Sequence, residues 1–261
     1  NNDMGHLTGL RGLVVGVANK RSLAWAIANA ADEAGAKLTI SYATERFEKN
    51  ARRLADTLSQ TTSTVKCDVT DDEDISALAG HIADEHGHID FLVHAVAFAS
   101  REAISEPFSK TTRDDFAQSL DISSYSLVAL TRALTPLMER TGGGSILTLS
   151  YLGSERVFPH YNVMGVAKAA LESTVRYLAS DLGPSNIRVN AVSAGPVKTL
   201  AASGIPGFSR IVQYYRERSP LRRTVDAEEV AAASLFLLGP GSKGVTGEVL
   251  HVDGGYHITG M

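Results

Sequence analysis

Seven short apolar runs rich in β-branched residues recur along the chain, most of them followed by a longer stretch with helical character. The runs occupy 12–17, 37–42, 64–66, 91–94, 145–149, 188–192 and 248–252. Between them, 23–34 is Ala-rich and stopped by Gly35. Phe47, Ala51, Leu54 and Leu58 fall at helical spacing, and 75–82 carries a third helix. The stretch 112–138 reads as one long helical region punctuated by Pro136 and closed by Gly142-Gly143-Gly144. The stretch 161–182 reads as a helix stopped by Gly183-Pro184. Strand–helix alternation of this kind forces parallel strands with right-handed crossovers, and hence an α/β, doubly wound parallel sheet of seven strands with helices on both faces. Ligands of such sheets bind beyond the carboxyl ends of the strands, so chemistry is expected just after each strand.

Composition narrows the classes. A chain of 261 residues with 44% hydrophobic and 21% charged residues can bury one large core, and no linker or repeat divides it, so 1–261 is read as a single domain. The net charge of -4 and the lack of a basic block argue against nucleic-acid binding. No run approaches 18 apolar residues, which argues against a membrane span. The single cysteine, Cys67, cannot pair within the chain and suits a reducing, cytoplasmic compartment. No basic-then-apolar leader pattern is present at the start. Residues 1–3 precede the first Met and are read as a cloning remnant or a native extension.

After the first strand comes Gly16-Val-Ala-Asn-Lys-Arg-Ser22-Leu23-Ala24. It lacks the G-x-G-x-x-G pattern, but offers a Gly turn, a polar loop and a Ser at the mouth of a helix, where backbone amides attract phosphate. An ordinary βα turn with a Ser cap would look the same. Asp68 follows the third strand and can accept a bond from an adenine amino group or act as a turn residue. The second strand ends in Tyr42-Ala43-Thr44-Glu45-Arg46, where Glu45 and Arg46 argue in opposite directions about a ribose 2′-hydroxyl or 2′-phosphate, so NADH against NADPH stays open. Tyr161 and Lys168, seven apart on a helix, would project from nearly one face, and a neighbouring ammonium would make the phenol a better proton donor. A snorkelling Lys and an interfacial Tyr fit the spacing too. Tyr151 follows the fifth strand. The segment 195–208, with Gly195, Pro196, Gly204, Pro206 and Gly207, is a candidate substrate lid. His81, His86 and His88 match no metal-binding pattern, Asp71 to Asp74 read as an acidic helix start, and Arg216, Arg218, Arg222 and Arg223 read as a solvated or intersubunit patch.

Taken together, these stretches resemble the short-chain dehydrogenase/reductase superfamily and, within it, the bacterial enoyl-(acyl-carrier-protein) reductases. The resemblance runs from Leu7 to Met261. It is carried by Gly16 to Ala24, Cys67-Asp68-Val69, Phe91-Leu-Val-His94, Asp121-Ile-Ser-Ser-Tyr-Ser126 and Leu147-Thr-Leu-Ser-Tyr151. It continues through Tyr161-Asn-Val-Met-Gly-Val-Ala-Lys168, Arg188 to Pro196, Lys198 to Gly204 and Glu248 to Gly255. Most members of the superfamily carry Tyr-x3-Lys; here the spacing is Tyr-x6-Lys. A rationale is that hydride to the β-carbon of an enoyl thioester lands three bonds from the oxygen that gains charge. A donor three residues nearer the helix start, about 4.5 Å along the axis, would suit that geometry.

The resemblance implies a Rossmann-type fold and reduction of trans-2-enoyl thioesters on acyl carrier protein in fatty-acid elongation, with NADH as cofactor. It implies that Tyr161 stabilises the enolate, that Lys168 binds the nicotinamide ribose and that Tyr151 assists near the double bond. Gly16, Ser22 and Leu23 would line the pyrophosphate, and Asp68 and Val69 the adenine. Val96, Val197, Lys198, Thr199, Leu200 and Ala201 would flank the nicotinamide half, and Ala99 the acyl group. Thr199 to Phe208 would form the lid. A homotetramer and no metal are expected. Two departures stand out: Ala43, where NADH-using relatives often have Gln, and Ala97, where relatives often have Gly. A 3-oxoacyl thioester reductase and an inactive dinucleotide-binding regulator are the alternatives. The 126–137 helix, apolar around much of its circumference, fits either packing against a second subunit or burial within one chain.

Overall fold

The structure, a computed structural model, describes residues 7–60, 62–203 and 205–260, with the backbone alone at Leu200 and Ala201. The expectations attached to residues 1–3 and Gly204 lie outside the described residues.

Leu13 and Val15 are buried in one apolar cluster while Val14, between them, is buried in another. Alternate side chains of a strand leave opposite faces, so β1 (Arg11–Val15) must be covered on both sides. The same holds across one sheet of parallel strands: β2 (Lys37–Tyr42), β3 (Ser63–Lys66), β4 (Phe91–His94), β5 (Gly144–Ser150), β6 (Ile187–Ala194) and β7 (Val249–Val252). Their order is β3-β2-β1-β4-β5-β6-β7. The chain steps outward from β1 to β3 and then crosses back to β4 on the other side of β1. The register pairs Val15 with Ser41 on one side and with His94 on the other. The cleft of such a fold opens at this reversal. The expected seven-stranded doubly wound sheet is what is found.

Two helical layers close the faces. On one, α1 (Leu23–Glu33) and α10 (Ala227–Leu238) pack together, with Leu54 and Ala55 of α2 (Glu45–Ala55) beside them. On the other, α3 (Asp72–His86), α6 (Ser126–Glu139) and α7 (Val163–Leu182) bury Leu78, Ile82, Leu127, Leu134, Leu171 and Val175. Leu13, Ile40, Leu92 and Ile146 are fully buried between the layers, each stabilising by about 2–3 kcal/mol. The short α4 (Arg101–Ser105), α5 (Arg113–Leu120), α8 (Leu200–Ser203) and α9 (Phe208–Arg218) lie in the segments that follow β4 and β6. The acidic run starts α3 as read: the Asp71 side chain accepts from Glu73 N, and Asp72, Glu73 and Asp74 fill the first turn. The apolar circumference of α6 is explained by burial within the chain.

Three departures from the sequence reading have physical causes. The stretch 112–138 is two helices, α5 and α6, joined by a π turn at Asp121–Tyr125, while α6 runs through Pro136 to Glu139. The segments 208–218 and 227–238, left unassigned, are helices. In α10 apolar residues surround the axis, so no period marks it. Finally, Tyr161 is not on α7. Asn162 has φ 45° and ψ -122°, and the helix begins at Val163.

Candidate active site

At the carboxyl ends of β1, β4, β5 and β6 the loops enclose two adjoining cavities that share Ala97 and Phe98. One, about 360 Å³, is lined by Gly16, Ala43, Asp68, Val69 and Val96 among others. The second, about 410 Å³, is lined by Leu23, Ala99, Tyr151, Tyr161, Lys168, Val197 and Thr199, with Met164, Phe208 and Ile211.

The first cavity is built for close backbone approach. Gly16 has φ +103°, and a Cβ there would lie 2.1 Å from the Ala95 carbonyl oxygen, so no other residue fits the turn. Ser22 caps α1: its Oγ accepts from Trp25 N at 3.2 Å and donates to Asn19 O at 2.8 Å. Ser22 itself lines neither cavity, while Leu23, the first residue of α1, lines the second. Asp68 Oδ1 accepts from Thr70 N and Thr70 Oγ1, at 3.0 and 2.7 Å, which holds its carboxylate beside the cavity. Cys67, at the back, is buried, and burial pushes its thiol up to about 12, so it is inert. At the edge of this cavity Arg46 lies over the ring of Phe47, a lining residue, at 5.1 Å.

The second cavity gathers the two tyrosines and the lysine. The rings of Tyr151 and Tyr161 meet edge to face at 5.0 Å. Gly153 lies so close beneath Tyr161 that a Cβ would approach its ring to 2.3 Å. Asn162 secures this turn by donating through Nδ2 to the Ala103 and Glu106 carbonyls, at 3.1 and 2.9 Å. Lys168 is buried, and its Nζ donates to Leu149 O at 2.7 Å. Tyr161 and Lys168 thus reach one cavity from a turn and a helix, not from one helical face. The 4.5 Å helical displacement proposed for the longer spacing does not describe this chain.

Burial dominates the electrostatics. It pushes the Tyr161 phenol well above its usual range, with Tyr151 and Glu172 adding in the same direction. This direction is opposite to the acidification expected from the ammonium, and Lys168 is not among the groups that act on the phenol. Burial also lowers Lys168, to about 8, against the opposing pull of Glu172. The Tyr151 phenol is raised by burial too. Its hydroxyl is buried without a hydrogen-bond partner, as is that of Tyr215; the two phenols influence each other but do not meet hydrogen-bond geometry. The ring of Tyr151 lines the cavity, while its hydroxyl is buried on the side of Tyr215 and Asp253.

Other predicted residues lie elsewhere. Lys198 lines neither cavity but an adjacent hollow, with Arg21, Thr199 and Arg216. The side chains of Leu200 and Ala201 lie outside the described residues. Within 195–208 the segment is not wholly irregular: α8 forms one turn, and Thr199, Ala202, Ile205 and Phe208 line the second cavity. His81 and His86 approach Glu85, at 2.8 and 3.6 Å, and His88 approaches Asp90 at 3.6 Å. Arg223 pairs with Glu229 at 2.6 Å, Arg222 donates to the Glu217 carbonyl, and Arg218 lies over Tyr214 at 5.0 Å. Sequence reasoning missed Glu172, one helical turn beyond Lys168, and gave His94 no role. His94 is fully buried between Thr148 Oγ1 (2.8 Å) and Ser126 Oγ (2.7 Å). Burial, helped by Lys168, pushes it down to about 3. The i,i+4 spacing of Lys168 and Glu172 was the available signal.

A doubly wound parallel sheet with a glycine turn, a capped helix start and a phenol–amine cavity at its switch point defines a dinucleotide-binding protein of the Rossmann class. The family model described as Enoyl-(Acyl carrier protein) reductase matches residues 16–257, and the chain belongs to that family. It is 51% identical over 254 residues to the NADH enoyl-(acyl-carrier-protein) reductase FabI of Bacillus subtilis (strain 168), covering 97% of this chain and 98% of that one. It is 48% identical to FabI of Aquifex aeolicus (strain VF5), over 99% of this chain and 95% of the other. Among solved structures, the Bacillus cereus enoyl-acyl carrier protein reductase with NADP+ and indole naphthyridinone superposes with a TM-score of 0.95 at 50% identity, covering 98% and 99% of the two chains. The Anaplasma phagocytophilum reductase in complex with NAD gives 0.92 at 46% identity, covering 98% and 94%.

Proposed function

We propose that this chain reduces the trans-2 double bond of enoyl thioesters carried on acyl carrier protein, in fatty-acid elongation, with NADH as its cofactor. The observation that carries this reading is the convergence of Tyr151, Tyr161 and Lys168 on one apolar cavity that adjoins a second, glycine-floored cavity. The residues suit a dinucleotide: Gly16 clears the backbone for a pyrophosphate, Ser22 and Leu23 open α1 toward it, and Asp68 and Val69 stand where adenine would lie. Lys168 spends one donor on Leu149 O and has two more for ribose hydroxyls. Val96, Val197 and Thr199 line the two cavities and would flank the nicotinamide half, with Lys198, Leu200 and Ala201 in the same segment. Bound NADH supplies the hydride.

The chain supplies the rest. Tyr161, held neutral by burial, donates its hydroxyl to the thioester oxygen and stabilises the enolate as charge builds there, in the manner of an oxyanion hole. Tyr151 backs Tyr161 edge-on, lines the same cavity and assists near the double bond. Ala99 touches the acyl group, and 195–208 closes over it and excludes water. The whole of 1–261 acts as one domain, in the cytoplasm, as a homotetramer. Absorbance at the nicotinamide band tests the reading. NADH is consumed with a crotonyl thioester, not with an acetoacetyl thioester, and faster than NADPH. Preference for the acetoacetyl thioester would make this a 3-oxoacyl reductase instead.

A further inference from the structure

Glu172 is a carboxylate on α7 that is only 6% exposed, one turn beyond Lys168, and the mechanism above gives it nothing to do. Its Oε1 accepts two hydroxyl bonds, from Ser150 Oγ at 2.5 Å and from Ser154 Oγ at 2.7 Å. These two serines bracket Tyr151. Ser150 ends β5, Ser154 ends the short 3-10 turn Leu152–Ser154, and both are tied to one oxygen of one side chain. The turn between them has no slack. A Cβ on Gly153 would strike Tyr161, and a Cβ on Gly165 of α7 would come within 2.6 Å of the Gly153 carbonyl oxygen. Burying a carboxylate costs several kcal/mol unless it is hydrogen-bonded and matched by charge. Here the hydroxyls supply the bonds and Lys168 supplies the charge.

Lys168 needs the match as much. The other titratable groups around it are neutral: His94 from β4, which it acts on, and Tyr151 after β5 and Tyr161 before α7, which line the same cavity. Asp253, after β7, acts on Tyr151 and Tyr215, while the one charge that raises Lys168 is Glu172. Resting on the proposed function, we propose that Glu172 is a positioning residue for the reaction: it is the buried counter-charge that keeps Lys168 protonated for the cofactor, and the clamp that, through Ser150 and Ser154, fixes Tyr151 against Tyr161.

Two pH titrations from 6 to 10 test this on the wild type, Glu172→Gln and Glu172→Asp. One follows NADH affinity by fluorescence. The other follows acetylation of Lys168 in the free protein by acetic anhydride, read by mass spectrometry. Glu172→Gln keeps an acceptor for both serines and removes the charge. It moves the Lys168 midpoint, and with it the loss of NADH affinity, down by at least about one pH unit. Glu172→Asp, which keeps the charge, stays within about 0.3 unit of the wild type. Equal midpoints in the wild type and Glu172→Gln overturn the counter-charge, as does a shift in Glu172→Asp as large as that in Glu172→Gln. Should Glu172→Gln not fold, the paired change Ser150→Ala with Ser154→Ala still decides the clamp. It lowers kcat on a crotonyl thioester about tenfold with KM within twofold of the wild type, and an unchanged kcat overturns it. The midpoint is read without substrate, so a wild type that reduced no enoyl thioester would sink the functional reading and leave this coupling standing.

Discussion

Tyr161 and His94 show what burial does to single groups in this molecule. Removing the Tyr161 hydroxyl takes away one preorganised donor and leaves the ring packed on Tyr151 and Gly153. Tyr161→Phe is expected to lower kcat about 10²–10³-fold, with NADH affinity within twofold of the wild type, by steady-state rates and fluorescence titration. Retained full activity would remove Tyr161 from its role. His94 bears on stability. Its folded-state value of about 3 lies below the ordinary 6.5, so its protonated form is disfavoured in the fold. Its stabilising effect is complete above about pH 6.5 and drains away as pH falls toward 3. Between pH 7 and 5 this one group costs about 2 kcal/mol of unfolding free energy. His94→Gln removes that slope, even if it is less stable at pH 7. Urea midpoints at the two pH values measure the difference, and parallel pH dependences in the two proteins would contradict it.

At the scale of elements, the strands were legible and the start of α7 was not. β2 and β4 fall where the apolar runs place them, and the other strands within about two residues, because a strand buried on both faces announces itself as a continuous apolar run. The Tyr-x6-Lys pair was legible as a pair, but its geometry was not. What ends the helix just after Tyr161 is a tertiary contact, Asn162 reaching 59 positions back to Ala103, and no local pattern encodes that. The same limit hid Glu172, whose serine partners sit 22 and 18 positions away on another element. Asn162→Ala removes two hydrogen bonds and leaves a Cβ-bearing residue at φ 45° without the side chain that favours it. It is expected to destabilise the protein by about 2 kcal/mol and to lower kcat more than it raises KM, since Tyr161 hangs from this turn. Chemical denaturation and steady-state kinetics on the same sample check both, and an unchanged kcat would detach the turn from the reaction.

For the whole molecule, the outer side of α7 is the surface that bears on assembly. The inner side is spent on the core and the cavity: Ala167, Lys168, Leu171, Glu172 and Val175 are buried. Outward, Val166, Ala169, Ala170 and Ser173 make a line of small or compact residues at helical spacing that ends in Tyr177, 78% exposed. Phe116 of α5 and Tyr125 of the π turn are exposed on elements that pack against α7. Small residues let a second helix approach closely, and the large aromatics at the margin would then be buried rather than wasted in water. Two-fold pairing of α7 with its copy satisfies both, because a surface that meets itself need only be flat and apolar once. Tyr177→Glu places a charge in that seam. If the proposed tetramer is built through this seam, Tyr177→Glu converts it to smaller species, dimers or monomers, in light scattering after size exclusion, and lowers the melting temperature by several degrees at micromolar protein, since stability gained by association depends on concentration. The effect on kcat tells how far the seam supports the site: α7 carries Lys168 and Glu172 on its other face, so loosening the helix disturbs both. An unchanged mass for Tyr177→Glu would put the contact elsewhere, with the edge strand β7 and the 69%-exposed Ile258 as the next surface to substitute.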